Sequence, residues 1–200
     1  MMILGLTGSV GMGKSTAAKL FRRCGIPVHD ADAAVHRLLG PGGSGVTLVA
    51  AAFPETLRDG AIDRSLLGKR VFGDAAALRR LESILHPLVR RSERGFLARV
   101  RRERHAVAVL DIPLLFETGG ERRCDLVLVV SAPRRIQLAR VLGRPGMSAA
   151  RLAAIEARQM SDAEKRRRAD FVIATGLSRR HSLGRLCRAL KRIRGKTGHA

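Results

Sequence analysis

The chain has 200 residues, of which 46% are hydrophobic and only 3% aromatic, and its formal net charge is +21. The length predicts one large domain, with a core built mainly from Ala, Val, Leu and Ile side chains. No apolar stretch approaches the roughly 18–20 residues that a membrane-spanning helix needs, and the first residues lack the basic and apolar segments of an export signal, so we expect a cytoplasmic protein.

The positive charge has two interpretations. It can attract a polyanion, either a nucleic acid or a substrate with several phosphates. Alternatively, an arginine-rich genome has placed Arg on ordinary solvent-facing helices, because 32 of the 38 basic residues are Arg. Residues 179–200 alone hold eight of these charges and no acidic residue. The chain contains no Trp or Tyr on which bases would stack, so we expect no specific nucleic-acid binding.

Short apolar segments alternate with helical ones along the chain, a pattern typical of a parallel sheet with helices on both faces. Five strands are predicted, over residues 3–7, 26–29, 106–110, 126–130 and 171–173. The second and third strands are about 75 residues apart, which is too many for a single crossover connection. We therefore expect an α/β core over about 1–40, 104–135 and 168–195, an inserted helical substrate region over about 41–103, and a lid over about 137–160.

The first strand leads into a glycine-rich motif. Gly8, Gly13, Lys14 and Ser15 occupy every fixed position of the pattern G-x-x-x-x-G-K-[ST]. The residues that follow, up to Arg23, have one apolar side and predict a helix. Glycines in this order let main-chain N–H groups close around a polyphosphate, and the helix adds its positive N-terminal end. The sequence therefore predicts a phosphate-binding loop.

Two side chains of this motif have predicted roles of their own. The Lys14 ammonium reaches the β- and γ-phosphates, and the Ser15 hydroxyl binds Mg²⁺. A fortuitous glycine turn is the competing interpretation, but it does not explain why a strand precedes the motif and a helix follows it.

The second strand ends in the segment VHDADAAVHRL, residues 28–38. The carboxyl ends of parallel strands face the ligand crevice, and a carboxylate there can accept the proton of an alcohol that attacks phosphorus. Asp30 or Asp32 is alternatively the N-cap of the helix that follows. Both interpretations hold together if one residue caps the helix and the other faces the substrate. We predict that Asp32 is the catalytic base.

Several motifs together resemble the dephospho-coenzyme A kinase family over about residues 2–176: GLTGSVGMGKST, HDADAAVHRLL, DGAIDR, LHPLVR, DIPLLFE and ADFVIATG. The first motif occurs in many nucleotide-binding proteins, whereas DIPLLFE, LHP and the Asp-Ala-Asp segment are more particular to this family. The resemblance implies a P-loop NTPase fold similar to that of nucleoside monophosphate kinases, with a helical substrate domain and a lid. It also implies transfer of the γ-phosphate of ATP to the ribose 3′-hydroxyl of dephospho-coenzyme A, the last step of coenzyme A biosynthesis.

The resemblance also implies which residues bind ATP and Mg²⁺. Asp32 would act on the 3′-hydroxyl. Asp111 closes the third strand and would hold Mg²⁺ through water, although an Asp at this position can instead cap the turn at Pro113. ATP would be bound by the whole loop, which comprises Gly8, Val10, Gly11, Met12, Gly13, Lys14, Ser15 and Thr16.

Other residues are implied on the acceptor side. Leu114, Leu115 and Phe116 would form an apolar wall near the substrate. His86, in the inserted helical region, would contact the substrate. A buried or helix-capping histidine is the alternative for that position.

The predicted lid is rich in arginine. Arg140 and Arg144 are four residues apart, which in a helix places them on one face. Guanidinium groups that close over ATP neutralise charge on the transferring phosphoryl group and exclude water. We predict that Arg140 is catalytic and that Arg144 binds ATP; the alternative is a solvent-exposed helix face. Gln159 also fits the family pattern after the lid.

One position departs from the family. Where ADFVIATG ends, the family usually has asparagine before glycine, and here Thr175 takes that place. The position is expected near the adenine. We therefore expect main-chain groups around Gly176 to contact the base, with phosphoryl transfer unaffected.

Three other functions compete with this interpretation. Another small-molecule P-loop kinase would share the loop and the lid but would not be expected to carry DIPLLFE and LHP. A GTP-binding switch would need the guanine-reading pattern Asn-Lys-x-Asp, which the sequence lacks. A basic nucleic-acid-binding protein would bind its partner in a salt-sensitive manner and would not turn over ATP.

Overall fold

The structure, a computed structural model, describes residues 1–197, apart from the side chains of Arg179 and of residues 194–197. The chain forms two compact units. The first consists of Met1–His29 and of the chain from Val100 onwards, and the second of Asp30–Arg99. The second unit thus begins at Asp30 rather than near residue 41, because the helix that follows the second strand belongs to it.

Strands and helices alternate along most of the chain. The strands are β1 (Met2–Thr7), β2 (Val28–Asp30), β3 (Leu57–Arg58), β4 (Ala61–Ile62), β5 (Val107–Asp111), β6 (Leu126–Ser131) and β7 (Phe171–Ala174). The helices are α1 (Lys14–Arg23), α2 (Ala31–Leu39), α3 (Val46–Ala52), α4 (Arg64–Val71), α5 (Ala75–Arg102), α6 (Arg134–Leu142), α7 (Ala149–Glu156), α8 (Asp162–Arg168) and α9 (Arg179–Thr197). Short 3-10 turns lie at Pro54–Thr56 and Gly120–Arg123.

A five-stranded parallel sheet with the order β2-β5-β1-β6-β7 underlies the first unit. The central strand β1 pairs with β5 on one side and with β6 on the other. The predicted α/β fold with five parallel strands is therefore confirmed. The second strand begins at Val28 rather than Ile26, because the Ile26 N–H still donates to the Phe21 carbonyl at the end of α1 and Pro27 has no N–H.

Aliphatic side chains of the central strands form the main core. Leu4, Leu6 and Leu128 are fully buried, as is Phe21 of helix α1, which packs in the same cluster. Central strands of a parallel sheet are covered on both faces, which is why these segments are almost continuously apolar. Because β1 is in the middle of the sheet, the loop that follows it opens where the strand order reverses, the usual ligand position in such sheets.

The second unit has a core of its own, formed by residues of α2, α3, β4, α4 and the N-terminal part of α5, together with Phe53 after α3. Its members are Leu39, Val49, Phe53, Ile62, Leu67, Ala77, Leu81 and Leu85. The hairpin β3–β4 was not predicted. Its turn is Asp59-Gly60, with φ of 46° and 74°, a residue pair that favours two-residue hairpin turns. The two-residue strands are too short to produce a visible alternation of apolar residues.

Helix α5 has 28 residues. The Asp74 carboxylate caps it by accepting the N–H groups of Ala76 and Ala77. The bond from Ala77, followed by the hydrogen bond from Arg70, lowers the pKa of this carboxyl. Pro87 lies inside the helix, where it cannot donate to the preceding turn. Among the residues described, neither α5 nor any other helix has the length and apolar character needed to cross a membrane.

Replacing Phe21 by Ala should destabilise the first unit by about 3–5 kcal/mol, because the lost ring leaves a cavity in a close-packed core. Phe72→Ala is the matched control: Phe72 is 73% exposed, and its loss should change the free energy of unfolding by no more than about 0.5 kcal/mol. Urea unfolding followed by circular dichroism measures both variants. Equal shifts of the two would contradict this description of the core.

Candidate active site

The glycine loop joins β1 to α1 and leaves no room for larger residues. A Cβ atom at Gly8 would lie 2.5 Å from Cγ2 and 2.7 Å from the carbonyl oxygen of Val130 on β6. Gly13 is the N-cap of α1 and has a φ of 93°, a left-handed conformation that favours glycine. Close packing therefore requires the first glycine of the motif, and main-chain conformation requires the second.

Main-chain N–H groups remain unused at the start of α1. Four of them find no acceptor among the residues that the structure describes: those of Gly11, Gly13, Lys14 and Ser15. The first turn of α1 contains no acidic residue, and its N-cap has no side chain to accept a hydrogen bond. Unpaired N–H groups at the positive end of a helix form an anion-binding site.

The Lys14 side chain forms an ion pair at the end of β5. Its Nζ donates to Oδ1 of Asp111 at 2.7 Å, and the two side chains are 16% and 3% exposed. Asp111 therefore forms an ion pair in addition to any role in the turn at Pro113. The Pro113 carbonyl itself accepts a hydrogen bond from the Thr7 hydroxyl. Because β1 and β5 are parallel neighbours, their carboxyl ends bring the lysine and the carboxylate to the same edge of the sheet.

The oxygen atoms at this edge suit Mg²⁺. The Ser15 hydroxyl is exposed in the first turn of α1, and the Asp111 carboxylate lies beside Lys14. In residues 1–197 there is no cluster of three or more His, Cys, Asp or Glu side chains that would enclose a metal ion. Mg²⁺ commonly binds through one or two protein oxygens together with substrate phosphates. The residues present therefore fit a metal ion that binds with its nucleotide.

Thr175 packs against the loop and is 9% exposed. Its hydroxyl donates to the Met12 carbonyl at 2.6 Å, and its N–H donates to the Ser131 carbonyl at 2.8 Å. Its own carbonyl accepts Nη2 of Arg140 at 2.6 Å. Every polar group of Thr175 is therefore engaged within the protein. The predicted main-chain contact with the adenine would therefore come from Gly176.

Arg140 and Arg144 do not share a helical face, so that prediction is wrong. Helix α6 ends at Leu142 because the chain turns at Gly143, and Arg144 is exposed in the turn beyond it. Nη1 of Arg140 lies 3.4 Å from the Gly11 carbonyl, to which it donates. The predicted lid thus contains two helices, α6 and α7, and Arg140 on the first of them donates to the loop.

The DIPLLFE segment packs largely into the core. Leu115 is fully buried and Phe116 is 6% exposed, and both pack with Val127 and Val129. This packing does not favour the prediction that Phe116 contacts substrate, because a ring inside the core presents little surface. Leu114 is half-buried and has more surface available to a ligand.

The last residue of that segment, Glu117, anchors the chain after the lid. Its Oε1 accepts the Met160 N–H at 2.7 Å and lies 2.9 Å from Nζ of Lys165, which is fully buried. A buried ammonium group needs an opposite charge close by. No local pattern distinguishes Lys165, because it opens the basic run KRRR, whose other members are exposed.

In the second unit, Asp30 rather than Asp32 caps helix α2. Oδ1 of Asp30 accepts the Ala33 N–H at 2.9 Å. The Asp32 carboxylate is exposed in the first helical turn and makes no hydrogen bond or ion pair with any residue that the structure describes. One aspartate therefore serves the helix and the other is free. His86 is exposed within α5 next to Pro87, so it is neither buried nor a helix cap.

The sheet and the loop define the class of protein. A central parallel strand that leads into unpaired N–H groups, with a lysine and a carboxylate at the same edge, defines a P-loop nucleotide-binding protein. An arginine-bearing segment between β6 and β7 and an inserted helical unit are typical of the small-molecule kinases among them.

Comparisons with known proteins narrow this class. The sequence profile of the family described as CoaE, dephospho-CoA kinase, matches residues 2–178. The chain is 66% identical over 166 residues to a dephospho-CoA kinase of Paramagnetospirillum magneticum, covering 83% of this chain and 78% of that protein. It is 56% identical over 198 residues to a dephospho-CoA kinase of Mesorhizobium japonicum, covering 99% and 100%. The crystal structure of TT1252 from Thermus thermophilus is 38% identical, with a TM-score of 0.84 and coverage of 95% and 96%. The chain belongs to the dephospho-CoA kinase family.

Thr175→Val should lower the free energy of unfolding by about 2 kcal/mol, because a side chain of the same shape leaves the Met12 carbonyl without its donor. Thr175→Ser keeps the hydroxyl and should cost about 0.8 kcal/mol, the contribution of one buried methyl group. Thermal unfolding of the two variants measures the difference. A Val variant as stable as the Ser variant would show that this hydrogen bond does not stabilise the loop.

Proposed function

We propose that this chain transfers the γ-phosphoryl group of ATP to the 3′-hydroxyl of the ribose of dephospho-CoA, giving CoA and ADP. Membership of the dephospho-CoA kinase family names the reaction. One observation supports it at the site: four unpaired N–H groups and the Lys14 ammonium lie at the start of a helix that has no carboxylate in its first turn. Such an arrangement attracts several negative charges at once, as a triphosphate carries.

The nucleotide is proposed to occupy the loop from Gly8 to Thr16. The unpaired N–H groups bind phosphate oxygens, and Lys14 exchanges the Asp111 carboxylate for the β- and γ-phosphates. This exchange needs only rotation of a flexible side chain, because Nζ already lies at the correct edge of the sheet. Ser15 and Asp111 would hold Mg²⁺, which would further neutralise the phosphate charge.

Asp32 is proposed as the base. Its carboxylate accepts the proton of the 3′-hydroxyl while the hydroxyl oxygen attacks the γ-phosphorus. The bond from that phosphorus to the bridging oxygen breaks, and ADP leaves with the electron pair. The division of labour between Asp30 and Asp32 supports this role, because the helix cap is already provided by Asp30 and the Asp32 carboxylate is exposed and unbonded.

We also predict contacts of the lid and of the acceptor side with the two substrates. Arg140 neutralises charge on the transferring group, and Arg144 contacts ATP from the lid. Arg140 keeps unused donors for this purpose, because a guanidinium has five N–H groups. On the acceptor side, His86 and Leu114 contact dephospho-CoA, while the base lies near Gly176. We also predict a cytoplasmic location.

Asp32→Asn should lower kcat for dephospho-CoA at least about 100-fold, because an amide cannot accept the proton. The affinity for ATP should change by less than about twofold, since the loop is untouched. Asp59→Asn is the matched control: it makes the same change in an exposed turn of the same unit, at a φ of 46° that Asn tolerates. Coupled assays of ADP release measure turnover, and calorimetric titration measures ATP affinity. Near-normal turnover of Asp32→Asn would contradict the base assignment even if the substrate is right.

The acceptor is tested separately with the wild-type protein. Dephospho-CoA, AMP, CMP and shikimate are offered at equal concentrations with ATP and Mg²⁺. We expect substrate-dependent ADP release with dephospho-CoA, and a product heavier by one phosphoryl group in mass spectrometry. Turnover of another acceptor in place of dephospho-CoA would overturn the proposed reaction while leaving ATP binding at the loop intact.

A further inference from the structure

Both glutamines of the chain bind the same residue of the glycine loop. The 200 residues include only two glutamines and no asparagine. Nε2 of Gln137 donates to the Val10 carbonyl at 2.9 Å, and Oε1 of Gln159 accepts the Val10 N–H at 3.2 Å. Two side chains from different segments therefore hold both main-chain polar groups of one loop residue.

Gln137 lies on α6 and its amide is fully engaged. The side chain is 3% exposed. Its Nε2 also donates to Oε1 of Glu156 at 3.2 Å, and its Oε1 accepts Nη1 of Arg134 at 2.6 Å. Arg134 in turn donates to both carboxylate oxygens of Glu156, which raises the pKa of its guanidinium. This network fixes which end of the amide is the donor, because a flipped amide would place its NH₂ group against the guanidinium.

Gln159 lies after α7, on the other side of the lid segment. Its neighbour Met160 is held by the Glu117 carboxylate, which is paired with the buried Lys165. The lid segment is therefore attached to the loop at two points, by Gln137 before α7 and by Gln159 after it.

These two hydrogen bonds orient two successive peptide groups. The Val10 carbonyl and the Gly11 N–H belong to one planar trans peptide and point in opposite directions. Gly11 has a φ of 78°, and glycine passes between such conformations at little cost. The bond from Gln137 therefore sets the direction of the Gly11 N–H, which is one of the four unpaired N–H groups. The bond to Gln159 does the same for the preceding peptide.

We propose that Gln137 and Gln159 are positioning residues for the nucleotide. They hold Val10 so that the Gly11 N–H faces the phosphates, and they couple the lid segment to the loop. The inference rests on the proposed function in taking ATP as the ligand. Neither side chain touches a reacting atom. Both hydrogen bonds maintain one conformation of the loop. Loss of either bond should therefore free the same loop residues to change conformation.

Gln137→Met and Gln159→Met remove the amides at nearly constant size. Each should weaken ATP binding about fivefold to thirtyfold in calorimetric titration, as expected for one lost hydrogen bond. In the double variant, the fold loss of ATP affinity should be clearly smaller than the product of the two single losses. Arg135→Met is the matched control, because Arg135 is exposed on the same helix; its affinity should stay within about twofold of the wild type.

Hydrogen exchange of the nucleotide-free protein gives a second readout that needs neither ATP nor activity. Gln159→Met should accelerate exchange of the Val10 amide and leave the sheet protected, whereas Gln159→Glu keeps an acceptor oxygen and should preserve the protection. Because this measurement uses only variants of Gln159, it tests the proposal even if the variant of the buried Gln137 does not fold.

Several outcomes would overturn the proposal: ATP affinities within twofold of the wild type in both Met variants, a double variant equal to the product of the singles, or unchanged exchange at Val10. Failure of the wild type to phosphorylate dephospho-CoA would refute the proposed reaction alone, because the readouts here are nucleotide binding and amide exchange.

Discussion

A loop that binds an anion through its main-chain N–H groups cannot use those groups to hold itself in place. In this protein the carbonyl side does so: the carbonyls of Val10, Gly11 and Met12 accept hydrogen bonds from side chains of α6 and from the residue after β7. Three successive peptides are thereby fixed through their carbonyls. Within the described residues, the N–H groups of Gly11 and Gly13 remain unpaired for the ligand, while the Met12 N–H donates to the Ser9 carbonyl. The elements around the loop are arranged so that these donors reach it.

The sheet supplies the rigid part of that arrangement. Strand β1 is central, and its neighbour β6 approaches Gly8 so closely that no side chain fits there. The surrounding core is aliphatic and close-packed, with Phe21 as its large aromatic member. A loop held in place by such a sheet loses little further conformational freedom when it binds a ligand. More of its interaction energy therefore remains as affinity. The same edge of the sheet presents Asp111 of β5, which is the ion-pair partner of Lys14.

The parts predicted correctly from the sequence are those whose chemistry is local. The loop between β1 and α1 follows from adjacent residues, and the alternation of apolar segments predicted the five parallel strands. The prediction that Arg140 and Arg144 share a helical face was wrong, because the helix ends before Gly143, which lies between them. Contacts between distant segments had no local signal: Thr175 holds the loop from far along the chain, and the buried Lys165 looks like its exposed neighbours.

The ion pair between Lys14 and Asp111 has a consequence for selectivity among anions. The site already contains a tethered carboxylate, because Oδ1 of Asp111 lies 2.7 Å from Nζ of Lys14. At Lys14, a singly charged solute such as chloride or bicarbonate must compete with the Asp111 carboxylate, which already neutralises the ammonium. A polyphosphate brings several charges and reaches the unpaired N–H groups as well, so it can displace the carboxylate. At Lys14, the resident aspartate thus favours anions of high charge over common cellular monoanions.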